Sequence, residues 1–442
     1  MQPAVPIRLF RAAQGLARGR AALRPDAQPD PQPDGQADFQ AELRILPGDF
    51  SPRLQTRLLV LQPTPFCNLD CDYCYLPDRD SRARMSPATI RLAVRRLVED
   101  GLLGPELTIA WHAGEPLVLP PDYYEHAFAA VAAALAEDYR SAAGATGDNT
   151  RCRVTHAFQT NGTLVDDRWC EFLARHRVRV GISIDGPADL HDRHRRSRTG
   201  AGTHARAMHG LRQLRAHDIP VHAIAVLGRE SLARADDLHA FFTAADVQAV
   251  GYSFDEVEGP HAASSIAAHE AEHAAFLDRT LELAQRSAGR YRVRELAAAG
   301  AAVAADPPCY EHAGRSWPLN TQVVPFSIVT VAWNGGFCSF SPEFLGQRHA
   351  RYDDFVMGNV AAGGYLEAAA GGAFRRLWSD LRRGIERCEA SCAYFRYCGG
   401  GAPANKLYEN GSLDSTETLY CRTMIQRPLE AVLKSLEAGA AG

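Results

Sequence analysis

From about residue 50 onward, short apolar runs alternate with longer amphipathic segments. Short runs rich in Val, Ile and Leu predict buried strands, and apolar positions at helical spacing predict helices. The predicted strands are 58–64, 107–112, 153–159, 178–184, 221–227 and 249–254. The helices predicted between and after them are near 86–101, 121–137, 166–175, 203–216, 230–244 and 265–287.

This alternation predicts an α/β fold made of six β-α units. Strands joined through helices form a parallel sheet with right-handed crossovers, which is either an open doubly wound sheet or a barrel. In both architectures the chemistry gathers at the carboxyl ends of the strands. The residues that follow each strand are therefore the first place to look for a functional site.

The composition narrows the class of protein. Hydrophobic residues make up 46% of the chain and charged residues 23%, which is typical of a globular protein. A net charge of -4 favours neither nucleic acid nor an anionic membrane as a partner, and no apolar run approaches the ~18 residues of a membrane span. Eleven cysteines, unevenly clustered, suit metal ligation in a reducing compartment, so we expect a cytoplasmic protein.

Three of these cysteines, Cys67, Cys71 and Cys74, lie just after the first predicted strand. The spacing Cys-x3-Cys-x2-Cys suits a loop that supplies thiolates to three irons of a [4Fe-4S] cluster. The fourth iron stays open and can bind a small molecule. The alternative is a zinc or disulfide knot, but zinc knots usually pair two Cys-x2-Cys units and no fourth ligand is near in sequence.

A second set of cysteines lies near the C-terminus. Its members are Cys388, Cys392, Cys398 and Cys421. Four thiolates are enough to close a [4Fe-4S] cluster completely, which would then carry electrons without binding substrate. A structural zinc site with four cysteine ligands is the alternative.

Polar residues follow three other predicted strands. Gly114 and Glu115 come after the second strand, where a carboxylate beside a glycine suits a ligand ammonium group. Asn161 follows the third strand, and Ser183 and Asp185 follow the fourth. These side chains suit hydrogen bonds to a ribose or a carboxylate, although each segment taken alone is equally consistent with a plain turn.

Together these motifs resemble the radical S-adenosylmethionine (SAM) enzymes, in which SAM chelates the open iron of the cluster. The Trp-His-Ala-Gly-Glu-Pro segment is similar to their Gly-Gly-Glu-Pro segment, which implies that Glu115 holds the SAM amino group. Ala113 replaces the first glycine. The stretch from His191 to Thr203 resembles a His-Asp-x-x-Arg...Gly-x-Gly-Thr pattern, which implies that Arg195 reaches the SAM carboxylate. Tyr73 matches the aromatic position before the last cysteine.

The C-terminal cysteines resemble a SPASM domain, which implies one auxiliary [4Fe-4S] cluster in addition to the SAM cluster. That domain ordinarily has seven cysteines and two clusters, whereas this chain leaves Cys309 and Cys338 alone and has Ala402 where another cysteine would stand. We therefore expect two clusters in all. The predicted fold is a partial (β/α)6 radical SAM barrel with a C-terminal SPASM-like domain. Along the chain we expect an N-terminal extension with a disordered linker at 1–50, the barrel at 51–290, the SPASM-like domain at 291–430 and a tail at 431–442.

A finer resemblance is to the cyclophane-forming peptide maturases of the GrrM/OscB type. The segments that carry it include Phe-Ser-Pro-Glu-Phe-Leu-Gly and Tyr-Cys-Gly-Gly-Gly-Ala-Pro-Ala-Asn-Lys. The resemblance implies a 5'-deoxyadenosyl radical that starts a cross-link between an aromatic ring and the β-carbon of a nearby residue, with a ribosomal precursor peptide and its leader as substrate. It also implies an electron donor such as flavodoxin or ferredoxin.

Such a reaction needs a base, for which Asp255, Glu256 and Glu343 are candidates by their position near the sixth strand end or the domain junction. Two other functions remain open. One is a maturase of the same kind that makes thioether links or formylglycine. The other is a non-catalytic iron-sulfur protein that binds peptides.

Overall fold

The computed structural model describes residues 45–142 and 152–441, so the predicted linker lies outside the described residues. All six predicted strands form, and four further strands join them in one ten-stranded sheet. The strands are β1 (Thr56–Leu61), β2 (Leu103–Trp111), β3 (Arg153–Thr160), β4 (Arg179–Ser183), β5 (Val221–Leu227), β6 (Ala249–Phe254), β7 (Arg292–Val293), β8 (Ile328–Val331), β9 (Gly336–Ser339) and β10 (Gly358–Asn359).

The sheet is open, with the order β10-β9-β8-β1-β2-β3-β4-β5-β6-β7. Strands β1 to β7 are parallel neighbours in chain order, and β8 adds to β1 as a further parallel strand. The two strands beyond β8 are antiparallel. The predicted α/β fold with a parallel sheet is confirmed, and among the described residues the sheet does not close into a barrel.

Helices connect the parallel strands as predicted. The described α-helices are α1 (Pro87–Glu99), α2 (Pro121–Ala142), α3 (Asp167–Arg175), α4 (Ala188–His194), α5 (His204–Ala216), α6 (Ala235–Ala244), α7 (Glu270–Arg286), α8 (Arg294–Ala304), α9 (Tyr365–Ala369), α10 (Gly372–Ser391), α11 (Phe395–Cys398), α12 (Pro403–Asn410) and α13 (Arg427–Ala441). The predicted start of α6 at residue 230 is instead a separate 3-10 turn, Arg229–Ser231.

Burial explains why these segments fold as they do. Leu59, Val60 and Leu61 of β1 are all buried, as expected for a parallel strand covered on both faces. Helix α3 begins where the Asp166 side chain accepts a hydrogen bond from the Trp169 N–H at 2.9 Å.

In the described chain, no helix is both long and apolar enough to cross a membrane.

The predicted domain boundaries stay predictions, and the structure describes elements that cross them at two points. Strands β7 and β8 belong to the main sheet although they lie beyond residue 290, so the two predicted domains share one sheet. The predicted tail at 431–442 is largely the end of α13. Leu429 and Val432, spaced three apart on one face of this helix, pack with Ala299 and Tyr394, which anchors the helix to the rest of the molecule.

Candidate active site

The first three cysteines lie in a loop at the carboxyl end of β1. The Cys67 N–H donates to the Arg79 carbonyl at 3.1 Å, and the Cys74 N–H donates to the Cys71 carbonyl at 3.3 Å. The Leu69 N–H donates to the Cys67 sulfur at 3.4 Å. The loop thus folds back on itself and turns a backbone donor toward the first thiol.

The segment between α4 and α5 clamps this loop from outside. The guanidinium of Arg198 donates to the Cys67 carbonyl at 2.7 Å, and the Asp70 N–H donates to the Arg196 carbonyl at 2.8 Å. Leu69 and Ser197 form an antiparallel bridge. The stretch that the sequence links to Arg195 therefore also holds the cysteine loop in place.

The thiols need a cationic partner to ionise. Burial, reinforced by Glu115, raises the pKa of Cys67 to about 12, and Cys71 and Cys74 raise it further. Burial raises the pKa of Cys71 to about 11, against the opposing charge of Arg195. Two thiols that burial keeps protonated on their own, in one loop with Cys74, suit a bound metal group, because coordination deprotonates a thiol outright. The residues present therefore fit the [4Fe-4S] cluster that the spacing predicts.

Glycine is required directly before Glu115. Gly114 has a φ of +56°, and a Cβ on it would lie 2.4 Å from the Phe66 carbonyl oxygen and 2.7 Å from that of Thr64. The turn after β2 therefore packs against the backbone that leads into Cys67. Ala113, the residue that departs from the family pattern, also has a positive φ, +77°.

Glu115 is a buried carboxylate held by three donors. It accepts from the Leu117 N–H at 2.9 Å, the Thr160 hydroxyl at 2.7 Å and the Asn161 N–H at 2.7 Å. Burial raises its pKa to about 7 against these hydrogen bonds. The part of the chain that the structure describes provides no ion pair for it, so an ammonium group from a ligand would supply the missing positive charge.

Asp185 joins Tyr73 and Arg195 in a second buried network. Its carboxylate accepts from the Tyr73 hydroxyl at 2.7 Å, the Arg195 guanidinium at 2.9 Å and the Val226 N–H at 2.9 Å. The Arg195 guanidinium also lies 5.3 Å from the centre of the Tyr73 ring. Asp185 therefore positions the other two side chains beside the cysteine loop.

The two remaining predicted SAM contacts lie at neighbouring strand ends. The Asn161 amide donates to the Asn68 side chain at 2.9 Å, with the Cys67 sulfur 4.0 Å away. Ser183 accepts from the Gln159 amide at 2.9 Å. The structure thus brings Asn161 to the cysteine loop, whereas the described partner of Ser183 is a residue of β3.

Two of the three predicted base candidates, Glu256 and Glu343, belong to a group of interacting carboxyl groups. Its third member is Glu258, and we call the three together the acidic cluster. Burial raises the pKa of Glu256 to about 7, and Glu343 adds to the shift. Burial and the two other carboxylates raise the pKa of Glu258, and burial raises that of Glu343. Burial and mutual repulsion thus oppose full ionisation of the acidic cluster.

The acidic cluster adjoins the loop of the first cysteines. The pKa of Tyr75, the residue after Cys74, is raised by burial and then by Glu343 and Glu258. One oxygen of Glu258 and one of Glu343 are buried and have no hydrogen-bond partner among the described residues. These two oxygens are available to a proton or a ligand donor.

Asp255 lies apart from this cluster in its hydrogen bonding. Its carboxylate accepts from the Ser265 N–H at 2.7 Å, so it stabilises the loop that follows β6. Glu258 was missed by the sequence prediction. Residues two apart in an extended segment face the same side, so the pair Glu256 and Glu258 was the available signal.

The comparisons with known proteins agree with this geometry. Residues 61–242 match the model of the radical SAM superfamily. The chain is 37% identical over 391 residues to the uncharacterized protein sll1766 of Synechocystis sp., covering 88% of this chain and 93% of that protein. The chain belongs to the radical SAM superfamily.

A second relative is the serine-type anaerobic sulfatase-maturating enzyme of Bacteroides thetaiotaomicron, 28% identical over 210 residues. This match covers 46% of the chain and 47% of the enzyme, less than half of its length. Radical SAM enzymes use a [4Fe-4S] cluster and SAM, which is the pair of cofactors that the cysteine loop and Glu115 fit.

Two solved structures share the fold. The first is anSMEcpe with bound AdoMet and Cp18Cys peptide, with a TM-score of 0.66 at 18% identity, covering 87% of this chain and 99% of that one. The second is Streptococcus suis SuiB bound to the precursor peptide SuiA, with a TM-score of 0.56 at 15% identity, covering 94% of this chain and 89% of that one.

The C-terminal cysteines of this radical SAM protein also meet in space. Cys388, Cys392, Cys398 and Cys421 all line one cavity. They come from the end of α10, the residue after it, the end of α11 and the start of a π-helical turn, Cys421–Gln426. In the described residues, no three His, Cys, Asp or Glu side chains converge closely enough to hold a single metal ion.

The two leftover cysteines differ sharply in environment. Cys309 is exposed on a small antiparallel sheet, whereas Cys338 is completely buried in β9. His312, the nearest histidine to Cys309 in sequence, is buried with its ring 4.2 Å from that of Phe50. That the two cysteines hold no cluster stays a prediction.

Proposed function

We propose that this radical SAM enzyme oxidises a peptide or protein substrate bound at the acidic cluster, between the two cysteine sites. The observation that supports this is the position of helix α12. Its Asn405 side chain donates to Glu256 at 2.8 Å, while the next residue, Lys406, donates to the Cys388 sulfur at 3.3 Å. Tyr75 connects the same acidic cluster to the first cysteine loop.

In this proposal Cys67, Cys71 and Cys74 hold the SAM cluster, and Glu115 and Arg195 hold the amino and carboxylate groups of SAM. A reduced cluster with SAM bound at these residues would supply the radical chemistry that removes a hydrogen atom from the substrate. The turn at Gly114 fixes Glu115 against the cysteine loop, and Asp185 fixes Arg195. These residues therefore orient SAM before any chemistry occurs.

A substrate that loses one hydrogen atom must lose an electron and a proton to complete a two-electron oxidation. The acidic cluster takes the proton, because its partnerless oxygens on Glu258 and Glu343 are free to accept it. The four C-terminal cysteines would hold an auxiliary [4Fe-4S] cluster, which would accept the electron from the substrate. An external donor such as flavodoxin or ferredoxin would provide the electron that reduces the SAM cluster.

The relatives support a peptide as the substrate class. One relative matures sulfatases, and solved structures of the same fold contain the Cp18Cys peptide or the precursor peptide SuiA. Two outcomes fit such a substrate. We propose a cross-link between an aromatic ring and a β-carbon, because of the motifs around Glu343 and Lys406. Formylglycine or thioether formation is the second candidate, which the sulfatase-maturating relatives favour.

Co-expression with a precursor peptide separates these outcomes. The cross-link predicts a peptide that is lighter by two hydrogens per motif, with every thiol still open to alkylation and the mass loss localised to an aromatic residue. A thioether would consume a thiol, and formylglycine would appear at a single serine or cysteine. A peptide that is unchanged with the intact enzyme, as well as with Cys71→Ala, would contradict peptide oxidation.

A further inference from the structure

Lys406 is an unusual residue in this chain. Of the 48 basic Lys and Arg residues, 46 are Arg and two are Lys. The other lysine, Lys434, is exposed on α13, whereas Lys406 is 2% exposed. The chain therefore has a lysine at this buried position, although nearly all of its other basic residues are arginine.

The contacts of Lys406 lack a carboxylate. Its ammonium donates to the Gly384 carbonyl at 3.1 Å and to the Cys388 sulfur at 3.3 Å. Across residues 45–142 and 152–441, no ion pair compensates its charge. A buried cation without a counter-charge is strongly unfavourable, so this ammonium requires an anionic neighbour. The thiolates of the C-terminal site are the groups positioned to supply it.

The surroundings leave room for an ammonium group and little more. A Cβ on Gly384 would lie 3.0 Å from the Lys406 nitrogen, and a Cβ on Gly401 would lie 3.5 Å from its Cε. The same Gly401 position is 3.4 Å from the Cys421 sulfur. Two glycines thus admit the lysine side chain beside the cysteines, where the larger planar guanidinium of arginine would be crowded.

We propose that Lys406 is a positioning residue that raises the reduction potential of the auxiliary cluster. This inference rests on the proposed function, which places a [4Fe-4S] cluster at these cysteines. Reduction adds a negative charge to the cluster, and a cation that donates to a ligand sulfur stabilises the reduced form more than the oxidised form. The auxiliary cluster then accepts an electron more readily from the substrate radical that remains after the hydrogen atom has been removed.

A neutral donor at the same site provides an internal comparison. The Thr418 hydroxyl donates to the Cys421 sulfur at 3.2 Å. Because the hydroxyl has no formal charge, its hydrogen bond to this cysteine ligand should change the reduction potential in the same direction as Lys406 does, but by less. Lys434 supplies the matched control, because it ion-pairs with Asp278 on the surface.

The test is a redox titration of the full chain followed by electron paramagnetic resonance. Cys67, Cys71 and Cys74 are changed to Ala in the parent, so that only the C-terminal cluster remains, at about four irons per chain. In this parent, Lys406→Met should lower the reduction equilibrium constant at least tenfold, which is about 59 mV for a one-electron couple. Thr418→Val should produce a smaller shift in the same direction, and Lys434→Met none.

Three results would overturn the inference. In the first, Lys406→Met retains its iron and titrates at the same potential as Lys434→Met. In the second, Lys406→Met and Lys406→Gln both lose the iron while circular dichroism stays unchanged, which would make the lysine a structural requirement of the site. In the third, the parent contains zinc and shows no reducible signal, which would also remove the proposed electron-carrying role of these cysteines but not the SAM chemistry.

Discussion

The two cysteine sites of this molecule are built in opposite ways. The first takes its three cysteines from a single loop, Cys67 to Cys74. Charged groups surround this loop, namely Glu115 and Asp185 after strand ends and Arg195 after α4. The second gathers four cysteines from the ends of α10 and α11 and a π-helical turn, and its sulfurs accept from Lys406 and Thr418.

In the proposed function, this difference separates an open site from a closed one. Three ligands would leave one iron for SAM, and the carboxylate and guanidinium beside the loop match the two ends of the SAM amino acid. Four ligands would leave no iron free, and the donors on the sulfurs would stabilise negative charge on a cluster bound there. The proposal therefore assigns cofactor binding to the first site and electron transfer to the second.

The largest effect should come from breaking the open site. Cys71→Ala should abolish conversion of SAM to 5'-deoxyadenosine in anaerobically reduced protein, because two thiolates no longer hold the cluster. The iron content should fall from about eight to about four per chain, since the closed site is untouched. Chromatographic assay of 5'-deoxyadenosine, with iron analysis, measures both.

Cys170→Ala is the control for this variant, because Cys170 is a buried cysteine of α3 outside both sites. It should retain SAM cleavage and the full iron content. Continued 5'-deoxyadenosine formation by Cys71→Ala would remove the assignment of the open site.

The next effect should come from the charged groups around the open site. Glu115→Gln should weaken SAM binding by about 10- to 100-fold, because a charge-assisted hydrogen bond contributes roughly 1.5–3 kcal/mol.

With a pKa of about 7, Glu115 is mostly protonated at pH 6 and mostly ionised at pH 8. SAM binding to the intact protein should therefore tighten about tenfold as the pH rises across this range.

Anaerobic calorimetry of SAM binding at both pH values measures these effects. Glu115→Gln should also lose the pH dependence, whereas Glu106→Gln, at an exposed position on β2, the strand that precedes Glu115, should behave as the parent. A pH dependence that survives in Glu115→Gln would show that another group binds the ammonium.

A smaller effect should come from the backbone beside each site. The closed site has glycine at its three consecutive positive-φ positions, Gly399, Gly400 and Gly401, whereas the open site has Ala113 at a φ of +77°. A left-handed alanine costs roughly 1–2 kcal/mol, which the greater flexibility of glycine in the unfolded chain partly offsets. Ala113→Gly should therefore raise the melting temperature of the loaded protein by about 1 °C.

The matched control is Ala132→Gly, which changes an exposed alanine inside α2. Glycine in a helix interior is unfavourable by about 1 kcal/mol, so this variant should melt lower. Equal losses in both variants, measured by differential scanning calorimetry, would show that the turn before Glu115 holds no strain.

The fold and the open site could be predicted from sequence because their signals are local. The apolar runs mark β1 to β6, and the spacing of Cys67, Cys71 and Cys74 marks a single loop. The acidic cluster is different, because Glu256 and Glu343 lie far apart in the chain and meet only through tertiary packing. Likewise, nothing local to Lys406 indicates its contact with Cys388.

The shared sheet was missed for a similar reason. Strand β8 pairs with β1, which precedes it by more than 260 residues, so the predicted boundary at 290 divides elements that belong together. Helix α13 was read as a tail because short apolar spacing near a terminus is a weak signal. The order of strands across a sheet follows from packing, which a pass along one sequence does not contain.

Electron paramagnetic resonance of the reduced protein with and without SAM can show whether the chain has one open and one closed cluster. We expect about eight irons and two signals, of which SAM shifts only the one that Cys71→Ala removes. A reproducible count of about twelve irons that falls to about eight in Cys309→Ala/Cys338→Ala, or a SAM-induced shift of the signal that Cys71→Ala retains, would contradict it.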